Sequence, residues 1–395
     1  GWDITTNKPR TEAYRGPGGV QAAFAMEQAI DELALTLGLC PLELRRRNSA
    51  TTGSTMPIGT PFPSIPFPNV IEQIAAHSCW REPLSPGKLP RGRGVALGYW
   101  RGTSMTSAAT VSVAGDGRPM VTIGAVDLTG TRTAMAQVAA EVFQLSIDDV
   151  LVQMGDSKSA GYTDASAGSR VGRTMAAAVA EACSDALDQL RRRAAEKLQA
   201  QPGEITYASG VFARKDGGSI TLEALAKATI SEGAVIGRGV STKLPLGVEI
   251  GGHVCDVEVD PETGQVTILR YTAFQDVGRA LNPPAVEGQI QGSVAQGLGW
   301  AVTEHFDYAS DGRLRNASLL DYRMPTALDL PRIGVVLLET PVPNVPFGVR
   351  GVAEMPIVPV AAAVGNAVRR AIGVRMTRMP MTPERIVAAI DELRA

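Results

Sequence analysis

The sequence has no large excess of charge of either sign, and it lacks long apolar runs. Its 395 residues carry 38 lysines and arginines against 40 aspartates and glutamates, which leaves a formal net charge of -2. Nucleic acids and anionic membranes are bound by strongly basic surfaces, so this balance disfavours both as partners. Apolar stretches such as residues 356–364 are interrupted by Pro or Gly. They fall far short of the roughly 20 residues that cross a bilayer.

Cysteine and histidine are few and scattered. No C-x-x-C pair occurs, and the histidines do not cluster; the positions are Cys40, Cys79, Cys183, Cys255, His77, His253 and His305. Zinc and iron–sulfur sites need clustered ligands, so we predict neither in this chain. Reduced structural cysteines and the lack of a signal-peptide pattern predict a cytoplasmic protein. Because the sequence begins with Gly1 and not Met, we expect either a Met-trimmed chain or a fragment.

The remaining composition is that of a globular chain. Hydrophobic residues make up 44% and charged residues 20%, which is the opposite of the balance found in disordered proteins. The length predicts two or three packed units. The 42 glycines and 26 prolines fall in turns between patterned segments, so we predict many elements joined by tight loops.

Strand and helix patterns alternate along the chain. Apolar residues at helical spacing or helix-start signals predict six helices. They lie at residues 20–38, from residue 41 onward, at 133–143, from the end of the loop at 155–172 to about 198, at 358–372, and from 382 onward. Alternation around turn residues predicts hairpins within residues 111–123, 210–222 and 255–271, and a strand at 150–154. This order predicts an α+β fold with mixed sheets and packed helices.

Composition also predicts where the chain divides. Residues 51–90 are rich in Pro, Ser and Gly, with few patterned positions, and mark a first boundary. We therefore predict an N-terminal helical and linker segment at 1–85 and an α+β domain at 86–395, with a sub-boundary near 200–245 left open. The arginines at 45–47 are predicted to be solvated side chains at a helix C-terminus.

The common catalytic motifs are absent from the sequence. It has no P-loop, no strand-linked G-x-G-x-x-G, no H-E-x-x-H and no G-x-S-x-G. Gly-, Ser- and Thr-rich loops recur instead at element junctions, at residues 15–19, 129–133, 165–170 and 348–351. Such loops expose backbone N–H groups at helix starts, so several of them in one chain predict a large anionic ligand. Ordinary helix-entry turns are the alternative for any single loop.

Several longer motifs, in order, resemble the molybdenum hydroxylases, the xanthine dehydrogenase and aldehyde oxidase family. They are Ala13-Tyr14-Arg15-Gly16-Pro17-Gly18, Asp256 to Gly264, Gln275-Asp276-Val277-Gly278 with Leu281-Asn282-Pro283, Gly288 to Gln296, and Pro346 to Glu354. The resemblance runs from about residue 5 to 392. It implies the family's molybdopterin-binding α+β fold.

The resemblance also implies a share of a molybdenum–pterin site in which no protein side chain ligates the metal. By position it assigns cofactor contacts to Arg15, Gly16, Thr129, Gly130, Thr131, Ala165, Ser166, Ala167, Gly168, Ser169 and Gln289. Glu354 matches the family's catalytic glutamate. The implied reaction oxidises an aldehyde or hydroxylates an N-heteroaromatic carbon of a purine- or nicotinate-like compound. Water is the oxygen source, Glu354 the general base, and molybdenum the hydride and electron acceptor.

Three departures from the family pattern limit this implication. Leu128-Thr129-Gly130 stands where G-Q-G is frequent, and Ala353 replaces the usual Gly before the glutamate. In the carbon monoxide dehydrogenases of the family a copper-bearing Cys follows the Tyr-Arg pair, where this chain has Gly16. Carbon monoxide oxidation is therefore not expected.

Length is the largest departure, because the family's molybdenum subunit is about twice as long. The chain resembles the C-terminal half of a split large subunit, as in nicotinate dehydrogenase, or else a fragment. The resemblance implies a second molybdopterin-binding chain, an iron–sulfur subunit with [2Fe–2S] clusters and an FAD subunit as partners. It implies molybdenum–molybdopterin, in its plain or cytosine-dinucleotide form, as cofactor.

From chemistry alone, Glu354 fits a helix-start residue near the helix dipole as well as a base. A non-catalytic scaffold or maturation protein of the same family is the alternative function, although such a protein would not need the glutamate. An apolar flank of Val352, Met355 and Ile357 predicts a pKa of Glu354 nearer to neutrality than usual.

Overall fold

The computed structural model describes residues 4–6, 8, 11–128, 130–245 and 247–395. Its helices are α1 (Gly19–Thr36), α2 (Pro41–Asn48), α3 (Phe67–Ala76), α4 (Ser78–Arg81), α5 (Thr131–Phe143), α6 (Val171–Lys197), α7 (Leu222–Ala228), α8 (Pro283–Val302), α9 (Val360–Ile372) and α10 (Pro383–Arg394). Its strands are β1 (Arg91–Trp100), β2 (Ser107–Val113), β3 (Pro119–Ile123), β4 (Leu151–Met154), β5 (Ile205–Ala208), β6 (Val211–Arg214), β7 (Ser219–Thr221), β8 (Val235–Ser241), β9 (Glu249–Val259), β10 (Val266–Asp276) and β11 (Ile333–Leu338). The predicted α+β class is confirmed.

The first sheet has the strand order β1-β9-β10-β11, antiparallel except for the parallel pair β10 and β11. Helix α9 lies on one face, with α1 and α8 contributing to the same apolar core. Gly92 and Gly94 of β1 permit this close packing, because a Cβ atom at either position would collide with carbonyl oxygens of α9. Helix α3 packs on the other face through Val70, Ile71 and Ile74.

The second sheet has the strand order β4-β3-β2-β8, and helices α5 and α6 cover one of its faces. Its core uses small residues of α6, such as Ala178 and Ala182, against Gly237 and Gly239 of β8. Without side chains at the two glycines, the strand approaches the helix backbone closely. A short third sheet, β5-β6-β7, lies at the C-terminal end of α6.

The outer edge of β8 is covered by side chains of α6. Backbone N–H groups of Arg238 and Val240 donate to the carboxylates of Asp185 and Glu181, each at 2.9 Å. The side chain of Gln189 donates to the carbonyl oxygen of Ile236 at 2.8 Å. Three residues spaced four apart on one helix face therefore occupy hydrogen-bonding groups that an edge strand otherwise exposes.

The positions of most predicted elements are confirmed, with ends shifted by a few residues. The predicted hairpin at 111–123 is the pair β2 and β3, and those at 210–222 and 255–271 are β6–β7 and β9–β10. The segment at 51–90, predicted to have little pattern, instead contains α3 and α4. Its amphipathic run was overlooked because prolines interrupt the surrounding sequence. None of the helices in the described part of the chain has the length and apolar character of a membrane span.

The prediction of three solvated arginines at the end of α2 is wrong for one of them. Arg45 is buried, and its guanidinium donates to the Glu27 carboxylate at 2.8 Å and to the Glu27 carbonyl oxygen at 3.0 Å. Arg46 and Arg47 are exposed and pair with Glu43, as expected. Arg45 differs because it faces α1 and not the solvent.

Candidate functional site

A cavity of about 520 Å³ lies where loops and helix starts from both large sheets meet. Three helices begin at its wall: Thr131 opens α5, Val171 opens α6, and Asn282 directly precedes α8. The backbone N–H groups at a helix start have no partner within the helix and carry a partial positive charge. This arrangement favours an anionic ligand in the cavity.

Two glycines in the wall allow close approach to the backbone. Gly130 has φ 81°, and a Cβ atom there would lie 2.9 Å from the Cβ of Ala285. Gly168 has φ 65°, and a Cβ atom there would collide with the side chain of Thr103. Neither position tolerates a larger residue, so these turns keep a small and polar surface toward the cavity.

Arg15 connects the beginning of the chain to two later parts of the cavity wall. Its guanidinium donates to Oε1 of Gln289 at 2.7 Å, to Oε1 of Gln296 at 3.4 Å, and to the carbonyl oxygen of Ala353. Burial lowers the pKa of Arg15, and the negative charge of Glu354 opposes that shift. Arg15 therefore lies within electrostatic range of the Glu354 carboxylate.

Glu354 lies in the cavity wall at the end of the loop that follows Arg350. Its backbone N–H donates to the Ser169 hydroxyl at 3.0 Å, and that hydroxyl donates to Oε2 of Glu354 at 3.4 Å. Burial raises the pKa of Glu354 above its usual value. The Gly168 backbone, the Ser169 hydroxyl, the Trp100 indole and the charge of Arg15 each lower it in part. This carboxylate is thus more basic than a solvated one and can still be ionised.

A buried ion pair fixes the loop that carries Glu354. Arg350 donates to Asp276 at 3.0 Å, with both side chains fully buried, and to the carbonyl oxygen of Val248 at 2.6 Å. It also donates to the carbonyl oxygen and hydroxyl of Ser64 at 3.2 and 3.1 Å. The loop is therefore tied to the end of β10, to the start of β9 and to the segment before α3.

A second carboxyl group lies behind this loop. Glu249, at the start of β9, is fully buried, and burial together with the charge of Glu354 raises its pKa well above the usual value. Trp100, the register partner of Glu249, has a buried indole nitrogen that lies near the Glu354 carboxylate and lowers its pKa. Our sequence reasoning missed both residues. An acidic residue inside the apolar run around Val248 was the available signal for Glu249.

The structure brings most of the predicted site residues together. Those that line the cavity are Arg15, Gly130, Thr131, Ser166, Ala167, Gly168, Ser169, Gln289 and Glu354. Gly16 lies behind the wall, where a Cβ atom would be 3.1 Å from Cγ2 of Ile357. Ala165 uses its carbonyl oxygen to accept a 2.8 Å hydrogen bond from Arg170. Thr129 lies outside the described residues.

The described side chains do not form a metal site of their own. In the described ranges, no group of three or more His, Cys, Asp or Glu residues is placed to hold a metal ion. The helix starts and glycine turns of the cavity wall offer backbone N–H groups to an anionic organic ligand. Backbone N–H groups suit the phosphate of such a ligand.

Comparisons with known proteins show which family this chain is similar to. Residues 73–331 match the molybdopterin cofactor-binding domain, and residues 1–49 match a second domain of the same description. The chain is 31% identical to the xanthine dehydrogenase molybdenum-binding subunit of Escherichia coli O157:H7, covering 96% of the chain and 54% of that protein. It is 30% identical to the 6-hydroxypseudooxynicotine dehydrogenase complex subunit gamma of Paenarthrobacter nicotinovorans, covering 99% of the chain and 53% of that protein.

A solved structure is similar in fold over nearly the whole chain. Quinoline 2-oxidoreductase from Pseudomonas putida 86 superimposes with a TM-score of 0.87 at 28% identity, covering 96% of this chain and 53% of that one. The chain thus spans about half the length of the curated relatives and solved structures that it matches.

Proposed function

Because the chain belongs to the molybdopterin-binding domains of the xanthine dehydrogenase and aldehyde oxidase family, we propose that it forms part of a molybdenum hydroxylase. The proposed reaction oxidises an aldehyde or hydroxylates a carbon of an N-heteroaromatic ring, with water as the oxygen source. The observation that carries the proposal is the half-buried carboxylate of Glu354, which lies in the wall of a cavity suited to an anionic cofactor.

The proposed cofactor is molybdenum–molybdopterin, in its plain or cytosine-dinucleotide form. The starts of α5, α6 and α8 would hold its anionic groups, and the turns at Gly130 and Gly168 would let it approach the backbone. Gln289, oriented by Arg15, would contact it from α8. When bound, the cofactor supplies the electron acceptor and the oxygen-transfer chemistry that the side chains lack.

Glu354 is proposed as the general base. Its carboxylate would accept a proton as the water-derived oxygen attacks the substrate carbon. Burial makes this carboxylate a stronger base than that of a solvated glutamate. Ser169 orients the carboxylate through Oε2, and the positive charge of Arg15 lowers the pKa of Glu354 in part, against the effect of burial. The buried ion pair of Arg350 and Asp276 holds the loop that carries the carboxylate in place.

Partner chains are proposed because of an apolar surface on α1. Met26, Leu33 and Leu37 expose 61%, 50% and 55% of their surface, and a groove of about 840 Å³ runs beside α1 toward Pro17 at the edge of the cavity. Exposed apolar patches of this kind mark interaction surfaces. The proposed occupant is the second molybdopterin-binding polypeptide that supplies the remaining half of the relatives' length.

Electron transfer requires further subunits under this proposal. The four cysteines of the chain form no disulfide bonds. Three of them, Cys79, Cys183 and Cys255, are buried and lie far apart in the sequence. We therefore place [2Fe–2S] clusters and FAD on an iron–sulfur subunit and an FAD subunit. The division at residues 1–85 and 86–395 and the cytoplasmic location stay predictions.

The test is substrate-dependent reduction of the metal in the assembled complex. The complex is purified after co-expression with its neighbouring genes and mixed anaerobically with a panel of aldehydes, purines and nicotinate-like heteroaromatics. Reduction of molybdenum by one class, with oxygen from labelled water in the product, is expected. A fully loaded complex that no member of the panel reduces would contradict the proposed reaction.

A further inference from the structure

The carboxyl group of Glu249 is fully buried, and the only polar groups that lower its pKa through hydrogen bonding, among the described residues, are the Ser169 side chain and the Met355 backbone. Its side chain is 0% exposed, and neither carboxyl oxygen makes a hydrogen bond of good geometry within the described residues. Burying an ionised carboxylate in this way is very costly, whereas a neutral carboxylic acid costs far less. The site therefore favours the protonated form of Glu249.

This carboxyl group lies directly behind the loop that carries Glu354. A Cβ atom at Gly351 would collide with Oε1 of Glu249 on one side and with Ser169 on the other. The Ser169 hydroxyl also lies close enough to Glu249 to influence its pKa. Ser169 contacts both the N–H and Oε2 of Glu354, so the three residues form a connected row.

Ser169 is itself held in a fixed position. Its backbone has φ 57°, a conformation that non-glycine residues adopt only when their surroundings impose it. The next residue, Arg170, is fully buried and donates to the hydroxyls of Ser107 at 2.7 Å and Thr174 at 3.1 Å. The backbone that carries the Ser169 hydroxyl is therefore held in place beside the two carboxyl groups.

We propose that Glu249 is a positioning residue: its carboxyl group holds a proton in the buried layer behind Glu354 and, through Ser169, sets the orientation and charge of Glu354. The inference rests on the proposed role of Glu354 as general base. It adds a second carboxyl group that never touches the substrate but determines the state of the one that does.

Three charged groups face Glu249, and burial outweighs those that favour its ionised form. Glu354 faces it from the loop, Arg173 from α6 and Arg350 from the turn before Glu354. Burial is the largest cause that raises the pKa of Glu249, and the charge of Glu354 adds to it, while Arg173 opposes it. Arg350 is already paired with Asp276 at 3.0 Å. Of the two coupled carboxyl groups, the less buried Glu354 therefore ionises first.

Infrared spectroscopy of the assembled complex tests the proton on Glu249. Glutamates of this chain are labelled with ¹³C at the carboxyl carbon, so that their infrared bands can be identified. Solvated glutamates are ionised at about pH 7, and a neutral glutamic acid therefore gives a separate C=O band. We expect this band in the parent, its loss in Glu249→Gln, and its retention in Glu258→Gln. Glu258 is a matched control on the same strand, ion-paired with Arg91 at 2.7 Å. Absence of the band, or its survival in Glu249→Gln, overturns the proposal.

A variant that retains an acid covers the case in which Glu249→Gln fails to assemble. In Glu249→Asp the neutral-acid band should move from labelled glutamate to labelled aspartate. A band that stays on glutamate belongs to another residue and overturns the assignment.

A titration of Glu354 tests the positioning role. Followed by ¹³C NMR, the pKa of Glu354 should stay near that of the parent in Glu249→Gln, which keeps a neutral hydrogen-bonding group. In Glu249→Leu it should rise by about one pH unit, because the polar support is lost. An unshifted pKa in Glu249→Leu overturns the role. These readouts need no turnover, so they remain decisive even if Glu354 proves not to be the base.

Discussion

The guanidinium of Arg15 donates a 2.7 Å hydrogen bond to Oε1 of Gln289, a residue 274 positions further along the chain. The same side chain donates to the carbonyl oxygen of Ala353, directly before Glu354. One arginine therefore sets the distance between α8, the loop of the carboxylate and the beginning of the chain. It also contributes the positive charge that lowers the pKa of Glu354.

Replacing Arg15 by Gln should move the acid limb of the rate profile to higher pH. A base works only when ionised, and burial already raises the pKa of Glu354. Removing the nearby positive charge raises that pKa further, by about one unit, so the base is protonated over a wider acidic range. The measurement is the anaerobic rate of metal reduction against pH. Arg46→Gln, on an exposed helix face, serves as the control and should leave the profile unchanged.

Replacing Glu354 by Gln should keep the cofactor but remove most of the rate. Gln has nearly the same shape and can hydrogen-bond to Ser169, but it cannot accept a proton. Loss of a general base lowers rates by about 10² to 10⁴. The matched control is Glu262→Gln in the exposed turn between β9 and β10, which should turn over like the parent. A Glu354→Gln complex with full metal content and the parental rate would show that the base lies elsewhere.

Replacing Gly94 by Ala should destabilise the chain, because the added methyl group meets the backbone of α9 at Ala363. Overpacking of this kind costs about 1–3 kcal/mol. Gly292 lies in α8 with nothing within 4 Å of an added Cβ. Gly292→Ala should therefore stabilise the helix, by about 0.5–1 kcal/mol. The midpoints of chemical denaturation give both values, and equal midpoints for the two variants would contradict the packing argument.

The assembled complex should contain molybdenum and iron but no stoichiometric copper. Gly16 offers no thiolate, and its φ of 67° with Ile357 at 3.1 Å from an added Cβ disfavours any side chain there. Elemental analysis together with an assay for carbon monoxide oxidation checks this expectation. One copper atom per molybdenum would refute it.

Expressed without partners, the chain should hold little or no molybdenum. Pro17 lines both the cavity and the groove beside α1, and the relatives have about as much sequence again, so we expect a cofactor bound to this chain alone to be exposed to solvent. Co-expression with the second molybdopterin-binding chain should restore full loading. A stoichiometric and active metal site in the isolated chain would contradict the shared-site proposal.

Local patterns in the sequence were enough to locate most of the elements. The hairpin turns and the apolar periodicity of α6 and α9 are short-range signals, and they predicted these elements to within a few residues. The strand β11 was not predicted, because its parallel partner β10 is separated from it by α8 and a long connection. Pairing over that distance leaves no mark in the local sequence.

The candidate site was predicted only as a set of separate loops. Each Gly-rich loop was visible in the sequence, but nothing in the spacing showed that Arg15 would reach Ala353 or that Ser169 would contact Glu354. The role of Arg45 was misjudged for the same reason, since its partner Glu27 is on another helix. Tertiary packing determines these contacts. Family resemblance supplied the order of the loops, and the fold supplied their distances.

The acidic and amide side chains of α6 along β8 also limit how this protein can assemble. Because Glu181, Asp185 and Gln189 already occupy backbone groups of that strand, an incoming strand cannot extend the second sheet there without displacing them. The edge of β8 therefore cannot form a continuous sheet with another subunit, and it cannot polymerise through strand pairing. At this edge, a partner polypeptide would therefore have to contact the protein through side chains and not through a shared sheet.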